Sequence, residues 1–258
     1  MLIKKHRVDL VIPGIESDVY AWAENIGRLN GLGVRAVVNN VDLVCLCKDK
    51  WAFYDYFKRK KKDYLIESSL SKDYNELVER FGIPFMLKPR VGYGSKGVVK
   101  IHSKLDFDKY RSDVGFTLMA QQFVGSDDQE YTTSAFCDGR GGFNAIMSLK
   151  RKLSKDGYTD RAEVVEIDEI NRVVSVICQE LRPSGPTNFQ FRMHDGIYKL
   201  LEINPRISSS TSIRSAFGYN ESKMCVEFFL ENKAVVQPVI KKGKAVRYVE
   251  DSIIFDAV

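Results

Sequence analysis

The sequence predicts a mixed protein, with a short α/β segment at the N-terminus and a longer α+β section of antiparallel strands after it. Three observations carry this. Apolar runs at 8–12 and 34–38 bracket a stretch of helical period, the pattern of a βαβ unit. From residue 84 the pattern changes to short strands separated by turns. No internal repeat or Pro/Ser-rich linker divides the chain after that point. A chain of 258 residues is one large domain or two small ones, and needs no disulfide or metal to hold its core. The 39 Lys+Arg against 34 Asp+Glu give a net charge of +5, too mild for a dedicated nucleic-acid binder and suited to small anionic ligands.

Residues 8–12 read as a buried strand stopped by Pro13-Gly14. Ser17 or Asp18 can cap a helix that carries Tyr20, Trp22 and Ile26 and ends near Gly31 and Gly33. Residues 34–38 give a second strand, and 41–47 a third short apolar run. One such unit is too small to stand alone, so the rest of its sheet is expected from a missing part or a neighbour. Asp49 caps a helix bearing Trp51, Phe53, Tyr54 and Phe57. The basic run 58–62 at its end reads as a solvated helix terminus rather than a phosphate-backbone patch. A further helix covers 74–81 and is ended by Gly82 and Pro84. Strands follow at 85–88, 98–101, 116–123, 130–137, 142–149, 189–193 and 197–203, with helical periodicity at 223–230.

The cysteines, Cys45, Cys47, Cys137, Cys178 and Cys225, are odd in number and lack the spacing of a zinc or CxxC site. They read as reduced, buried thiols, with Cys45 and Cys47 on one face of an extended segment. No secretory signal or membrane-spanning run is seen, so a cytoplasmic location is expected.

Gly92-x-Gly94-x-x-Gly97 matches a dinucleotide fingerprint, but that fingerprint requires a helix after the loop. Here a Val-Val-Lys-Ile strand follows, which makes the loop a hairpin tip. Such a loop can cover phosphates with its backbone N–H groups, with Lys88 on the incoming strand. A ligand-free hairpin explains the loop equally well. The absence of HRD…N and DFG motifs disfavours a protein kinase.

Residues 189–193 and 197–204 alternate around His194-Asp195-Gly196, which predicts a hairpin with a three-residue loop pairing Met193 with Ile197. That register places Phe189, Phe191, Leu201 and Ile203 on one face, and Gln190, Glu202 and Asn204 on the other. Two amide oxygens and a carboxylate suit a hard cation such as Mg²⁺, although a polar outer face is a common alternative. Asn204-Pro205-Arg206 and the polar run 208–212 follow directly, and Arg206 can clamp a transferring phosphoryl group.

Taken together, these segments resemble ATP-grasp ligases, in the carbamoyl-phosphate-synthase-like branch where Gln also holds the first metal position. The resemblance rests on Gln190, Leu201-Glu202-Ile203-Asn204-Pro205-Arg206, Asp49-Lys50, Lys88-Pro89 with the glycine loop, and Gln121-Gln122-Phe123-Val124-Gly125 with Glu130-Tyr131-Thr132. It covers about residues 8–250. It implies an ATP-grasp fold of two α+β lobes clamping ATP: a partial Rossmann-like segment at 1–48, an N-terminal lobe at 49–115 and a C-terminal lobe at 116–258. It also implies ATP and Mg²⁺ (or Mn²⁺) as cofactors. Lys50, Lys88 and the loop residues Gly92, Gly94, Ser95 and Gly97 would hold phosphates. Gln121 and Val124 would border adenine, and Glu130 would bind ribose. Gln190, Glu202 and Asn204 would hold the metal, and Arg206, with Lys88, would stabilise the transferring phosphoryl group. Gln121 stands where many relatives carry Glu, which weakens one adenine contact. Only the last part of the family's N-terminal domain is represented, which suggests a homodimer or a partner subunit that completes it.

The activity implied is ADP-forming, carboxylate–amine ligation through an acyl phosphate, with small-molecule substrates and neither nucleic acid nor membrane as partner. The alternatives are a nucleotide-binding module without catalysis, acting in regulation or assembly, and a phosphotransferase using the same loop. Lys150, Arg151, Lys152 and Arg161 are candidates to hold an anionic substrate, or plain surface charges.

Overall fold

The computed structural model of the chain describes residues 2–60, 62–92, 96–154, 157–248, 250 and 253–254. After one helical turn, α1 (Leu2–Lys5), the strands β1 (Leu10–Val11) and β2 (Arg35–Ala36) pair in parallel. Helices α2 (Glu16–Glu24) and α3 (Ile26–Asn30) connect them. This is the expected βαβ unit with shorter strands, neither of them fully buried. Ile15 occupies the cap position of α2 and makes no side-chain cap bond, so neither Ser17 nor Asp18 caps this helix.

The run at 41–47 is not extended. It is a helix, α4 (Val41–Lys48), because Asn40 accepts a hydrogen bond from the Leu43 N–H and starts it. Two residues apart on a helix point to nearly opposite sides, so Cys45 and Cys47 do not share a face. Cys45 is exposed and Cys47 half-buried, while Cys137, Cys178 and Cys225 are buried; all five are free thiols. The expectation of uniformly buried cysteines therefore fails at Cys45. Asp49 does cap the next helix, α5 (Lys50–Lys58), accepting from the N–H groups of Trp51 and Ala52.

The strands β3 (Ser68–Ser69), β4 (Phe85–Pro89), β5 (Val99–Ile101) and β6 (Leu118–Gln122) make an antiparallel sheet in the order β3-β6-β4-β5. Helices α6 (Tyr74–Phe81) and α7 (Lys104–Asp108) pack on it through Leu77, Phe81 and Phe107 against Phe85, Leu87 and Ile101. The glycine loop joins β4 to β5 as a hairpin.

The second sheet contains β7 (Glu130–Asp138), β8 (Phe143–Leu153), β9 (Thr159–Val165), β10 (Ser184–His194), β11 (Ile197–Asn204) and β12 (Lys244–Val246). Their order is β11-β10-β7-β8-β9-β12, antiparallel throughout. Helix α8 (Asp168–Leu181) covers one face through Ile170, Val174 and Ile177 against Ala135, Phe189 and Phe191. Helices α9 (Thr211–Ala216) and α10 (Glu221–Phe229) cover the other, where Ile213, Met224 and Cys225 meet Phe136, Ala145 and Met147. With both faces covered, β7 is buried almost end to end.

The hairpin register differs from the expected one. His194 pairs with Ile197, leaving a two-residue turn of Asp195 and Gly196 with φ of 48° and 80°, the Asp-Gly turn that matches strand twist. A bulge between Gln190 and Phe191 then shifts the pairing by one. Leu200 and Ile203 join Phe189 and Phe191 in the core, and Leu201 turns to the opposite side instead of the core position expected for it. Gln190 and Glu202 end directly opposite each other.

The N-terminal segment docks on this sheet. Asn39 accepts from the Ser184 N–H at 2.7 Å and donates to the Pro205 carbonyl at 3.3 Å. Gly125, between β6 and β7, has φ of 58° and donates its N–H to His194 Nδ1 at 3.3 Å. A Cβ there would collide with the carbonyl oxygen of Met193. Gly125→Ala is expected to destabilise the protein by about 2–4 kcal/mol, read as a lower urea midpoint with unchanged m-value.

Candidate active site

The two sheets and the N-terminal segment meet around a cleft of about 740 Å³. Lys50, Lys88, Gly92, Val124, Glu130, Gln190, Glu202 and Arg206 all line it. These residues span positions 50 to 206 of the sequence, so the fold brings most of the residues singled out above to one place. Gly97 sits at the far root of the glycine loop with φ of 73° and does not line the cleft. Gly94 and Ser95 lie outside the described residues. Gln121 is buried and donates to Ser68 Oγ at 3.0 Å; it borders a small adjoining pocket, while Gln122, Phe123 and Val124 face the main cleft.

Cations concentrate on one wall. Lys50 stands at the start of α5, and its Nζ donates to the Gly92 carbonyl at 2.9 Å. Arg90, beyond the end of β4, donates to Asp49 through two nitrogens, at 2.5 and 3.3 Å. Asp49 therefore caps α5 and at the same time ties the root of the glycine loop to that helix. Lys88 projects from β4, and desolvation pushes its ammonium down to about 8, opposed by Glu202 and assisted by the positive charges of Arg192 and Lys50.

The floor is a row across three strands. Arg192 on β10 and Arg151 on β8 are the register partners of Glu130 on β7. Glu130 Oε1 accepts from Arg151 Nε at 3.1 Å and Nη2 at 2.8 Å, and Oε2 accepts from Arg192 Nη2 at 2.7 Å. Arg151 Nη2 also donates to Gln190 Oε1 at 2.7 Å. Of the basic residues proposed between hinge and hairpin, Arg151 alone is buried, because strand alternation turns Lys150 and Lys152 outward; Arg161 is exposed as well.

Gln190, Glu202 and Asn204 fit a hard divalent cation. Their ligand atoms are all oxygens, and Asn204 Nδ2 donates to Glu202 Oε1 at 3.0 Å; Gln190 and Glu202 line the cleft, whereas Asn204 is buried and borders a small adjoining pocket shared with Arg206. That bond is the one hydrogen bond of the Glu202 side chain among the described residues. The set holds a single carboxylate, and no cluster of three His, Cys, Asp or Glu exists among the described residues, so a bound ion would keep several waters.

Arg206 closes the far end. Its Nη2 pairs with Glu16 at the start of α2, and its Nη1 donates to the Ile207 carbonyl at 2.8 Å. Behind it, Arg214 is fully buried. It donates to Ser208 Oγ, to Thr132 Oγ1 at 3.0 Å and to Asn188 Oδ1 at 3.0 Å, with Glu221 at 3.7 Å; desolvation pushes its pKa down. These bonds anchor the loop that carries Arg206 to β7 and β10. Glu16, Arg90, Arg192 and Arg214 were not foreseen from the sequence. A lone charged residue carries no signal of its partner until the register is known.

A family described as ATP-grasp in the biosynthetic pathway with Ter operon matches residues 118–252. The carbamoyl phosphate synthase large chain of Methanothrix thermoacetophila is 23% identical over 240 residues, covering 84% of this chain and 22% of that one. The N-terminal section of the large chain from Methanopyrus kandleri is 22% identical over 242 residues, covering 84% of this chain and 43% of its own length. The chain thus spans less than half the length of each of these relatives. Among solved structures, the N5-carboxyaminoimidazole synthetase of Staphylococcus aureus complexed with ADP superposes with a TM-score of 0.69 at 16% identity, covering 90% of this chain and 63% of that one. The biotin carboxylase domain of Hydrogenobacter thermophilus 2-oxoglutarate carboxylase, in complex with MgADP, ADP and bicarbonate, gives 0.73 at 13% identity, covering 94% and 58%.

A lysine whose folded-state pKa lies below its unfolded value weakens the fold while it stays charged. That cost is fully present below pH 8 and fades as pH rises from about 8 towards 10.5, the ordinary value for Lys88. Lys88→Met is therefore expected to raise stability by about 1–3 kcal/mol at pH 7. Thermal unfolding as a function of pH checks this, with the gain shrinking above pH 8.

Proposed function

This chain belongs to the family described as ATP-grasp in the biosynthetic pathway with Ter operon, and from that premise we propose that it is an ATP- and Mg²⁺-dependent ligase. It activates a carboxylate as an acyl phosphate and couples it to an amine, releasing ADP and phosphate. The observation that supports this reading is the convergence on one cleft of two lysines, Gln190 and Glu202 of the cation set, and Arg206.

Each residue has a physical task in the proposed reaction. Lys50 and Lys88 place positive charge on the nucleotide phosphates, and Gly92 keeps the loop backbone close to them. The backbone of 122–125 and the Val124 side chain border the base. Glu130 has spent about three of its roughly four acceptor positions on arginines, so one remains for a ribose hydroxyl. Gln190, Glu202 and Asn204 would hold Mg²⁺, which when bound neutralises phosphate charge. Arg206 turns its planar fork from Glu16 to the transferring phosphoryl group, where negative charge spreads over three oxygens. The paired state of Arg206 supports a second reading, a nucleotide-binding module in which this arginine is withheld from chemistry.

An ADP-release assay with a panel of carboxylates and amines separates these readings. The ligase reading expects ADP release that depends on both substrates. Saturable Mg-ATP binding without ADP from any pair favours the module, and release without an amine points to another acceptor. In the same assay, Glu202→Ala is expected to lower Mg²⁺-dependent turnover at least 100-fold with an unchanged circular dichroism spectrum. Turnover that survives the change would sink the metal assignment.

A further inference from the structure

Resting on the ligase reading, we propose that Glu16 is a catalytic residue that receives the incoming amine and takes the proton its nitrogen must lose before attack. An alkylamine enters at neutral pH as an ammonium, which has no lone pair to offer, so the coupling step needs a base inside the cleft. Four carboxylates line it among the described residues: Glu16, Asp127, Glu130 and Glu202. No histidine lines it. Glu130 is held by two arginines, Glu202 belongs to the cation set, and the Asp127 side chain is 92% exposed. Lys50 and Lys88 are committed to the nucleotide phosphates in the proposed reaction, so Glu16 is what remains, and it stands at the Arg206 end of the cleft beside Gly14 and Ile15.

Its pairing explains the order of events. The Glu16 and Arg206 side chains are 20% and 12% exposed, and Arg206 Nε has no hydrogen-bond partner among the described residues. While Arg206 holds Glu16, the carboxylate is engaged by the guanidinium and is not open to an incoming amine. When the acyl phosphate forms, its phosphoryl oxygens compete for the guanidinium and Glu16 loses its partner. The freed carboxylate then attracts an ammonium, accepts one proton from it and leaves a neutral amine. The nitrogen lone pair attacks the acyl carbon, the C–N bond forms and the C–O bond to phosphate breaks with its electron pair on phosphate. The second nitrogen proton leaves on the phosphate, and the proton on Glu16 returns to solvent.

Hydroxylamine tests this, because it is already uncharged at neutral pH and needs no base to expose its lone pair. The full chain is assayed with Mg-ATP, the twenty amino acids as carboxylates, and either methylamine or hydroxylamine as acceptor. Glu16→Gln keeps the side-chain volume and an acceptor for Arg206. The expected result is a methylamine-to-hydroxylamine turnover ratio about 100-fold lower than in the wild type, partly recovered in Glu16→Asp. Equal loss with both acceptors, or no loss with either, overturns the proposal while hydroxamate from the wild type leaves the ligase reading standing. A wild type that forms no hydroxamate with any of the acids overturns both.

Discussion

One carboxylate between two guanidinium groups organises the cleft floor. Glu130 sits in register with Arg151 on one neighbouring strand and Arg192 on the other, so the charge row runs straight across three strands. Buried charges are expensive to desolvate, and a row of this kind adds little net stability. Its value is geometric: without Glu130 two guanidinium groups would face each other with no counter-ion between them, so the strands are held in the register that places it there. Arg151 extends the row to Gln190, and through the strand pairing of Gln190 with Glu202 the same constraint reaches the candidate cation ligands.

The far end of the cleft is built differently. Arg206 is held by Glu16, a residue 190 positions away in sequence, in a segment whose own sheet has only two short strands. That segment is minimal as a sheet but supplies one wall of the site and docks through Asn39 on the Asn-Pro-Arg loop. Arg214, buried beneath the loop, ties it to Thr132 and Asn188. In the proposed reaction the fixed floor and the departure of Arg206 from Glu16 both serve positioning, which supplies most of the rate of phosphoryl transfer.

Much of this was legible residue by residue. Asp49 as a cap, the helix at 74–81, the β4–β5 hairpin around the glycines and the alternating strands at 189–193 and 197–203 all carry strong local signals. Helix α8 is hard to read from sequence although Ile170, Val174 and Ile177 repeat at helical spacing, because its β-branched residues blur the period. The run at 41–47 reads as extended for a similar reason, and it is the Asn40 cap that makes it a helix. Alternation alone places Leu201 in the core, because it carries no sign of the bulge that turns this residue out.

By itself the sequence determined which residues could bear the chemistry, since Lys88, the glycine loop, Glu202, Asn204 and Arg206 occur in local motifs whose spacing is set by strands and turns. Only the tertiary structure decided what those residues face. It placed Gln121 off the main cleft, buried Arg151 while leaving Lys150 and Lys152 in solvent, and set Glu16 against Arg206. Local propensity acts over a few residues, whereas a buried charge finds its counter-ion through strand register and packing between segments far apart in the chain.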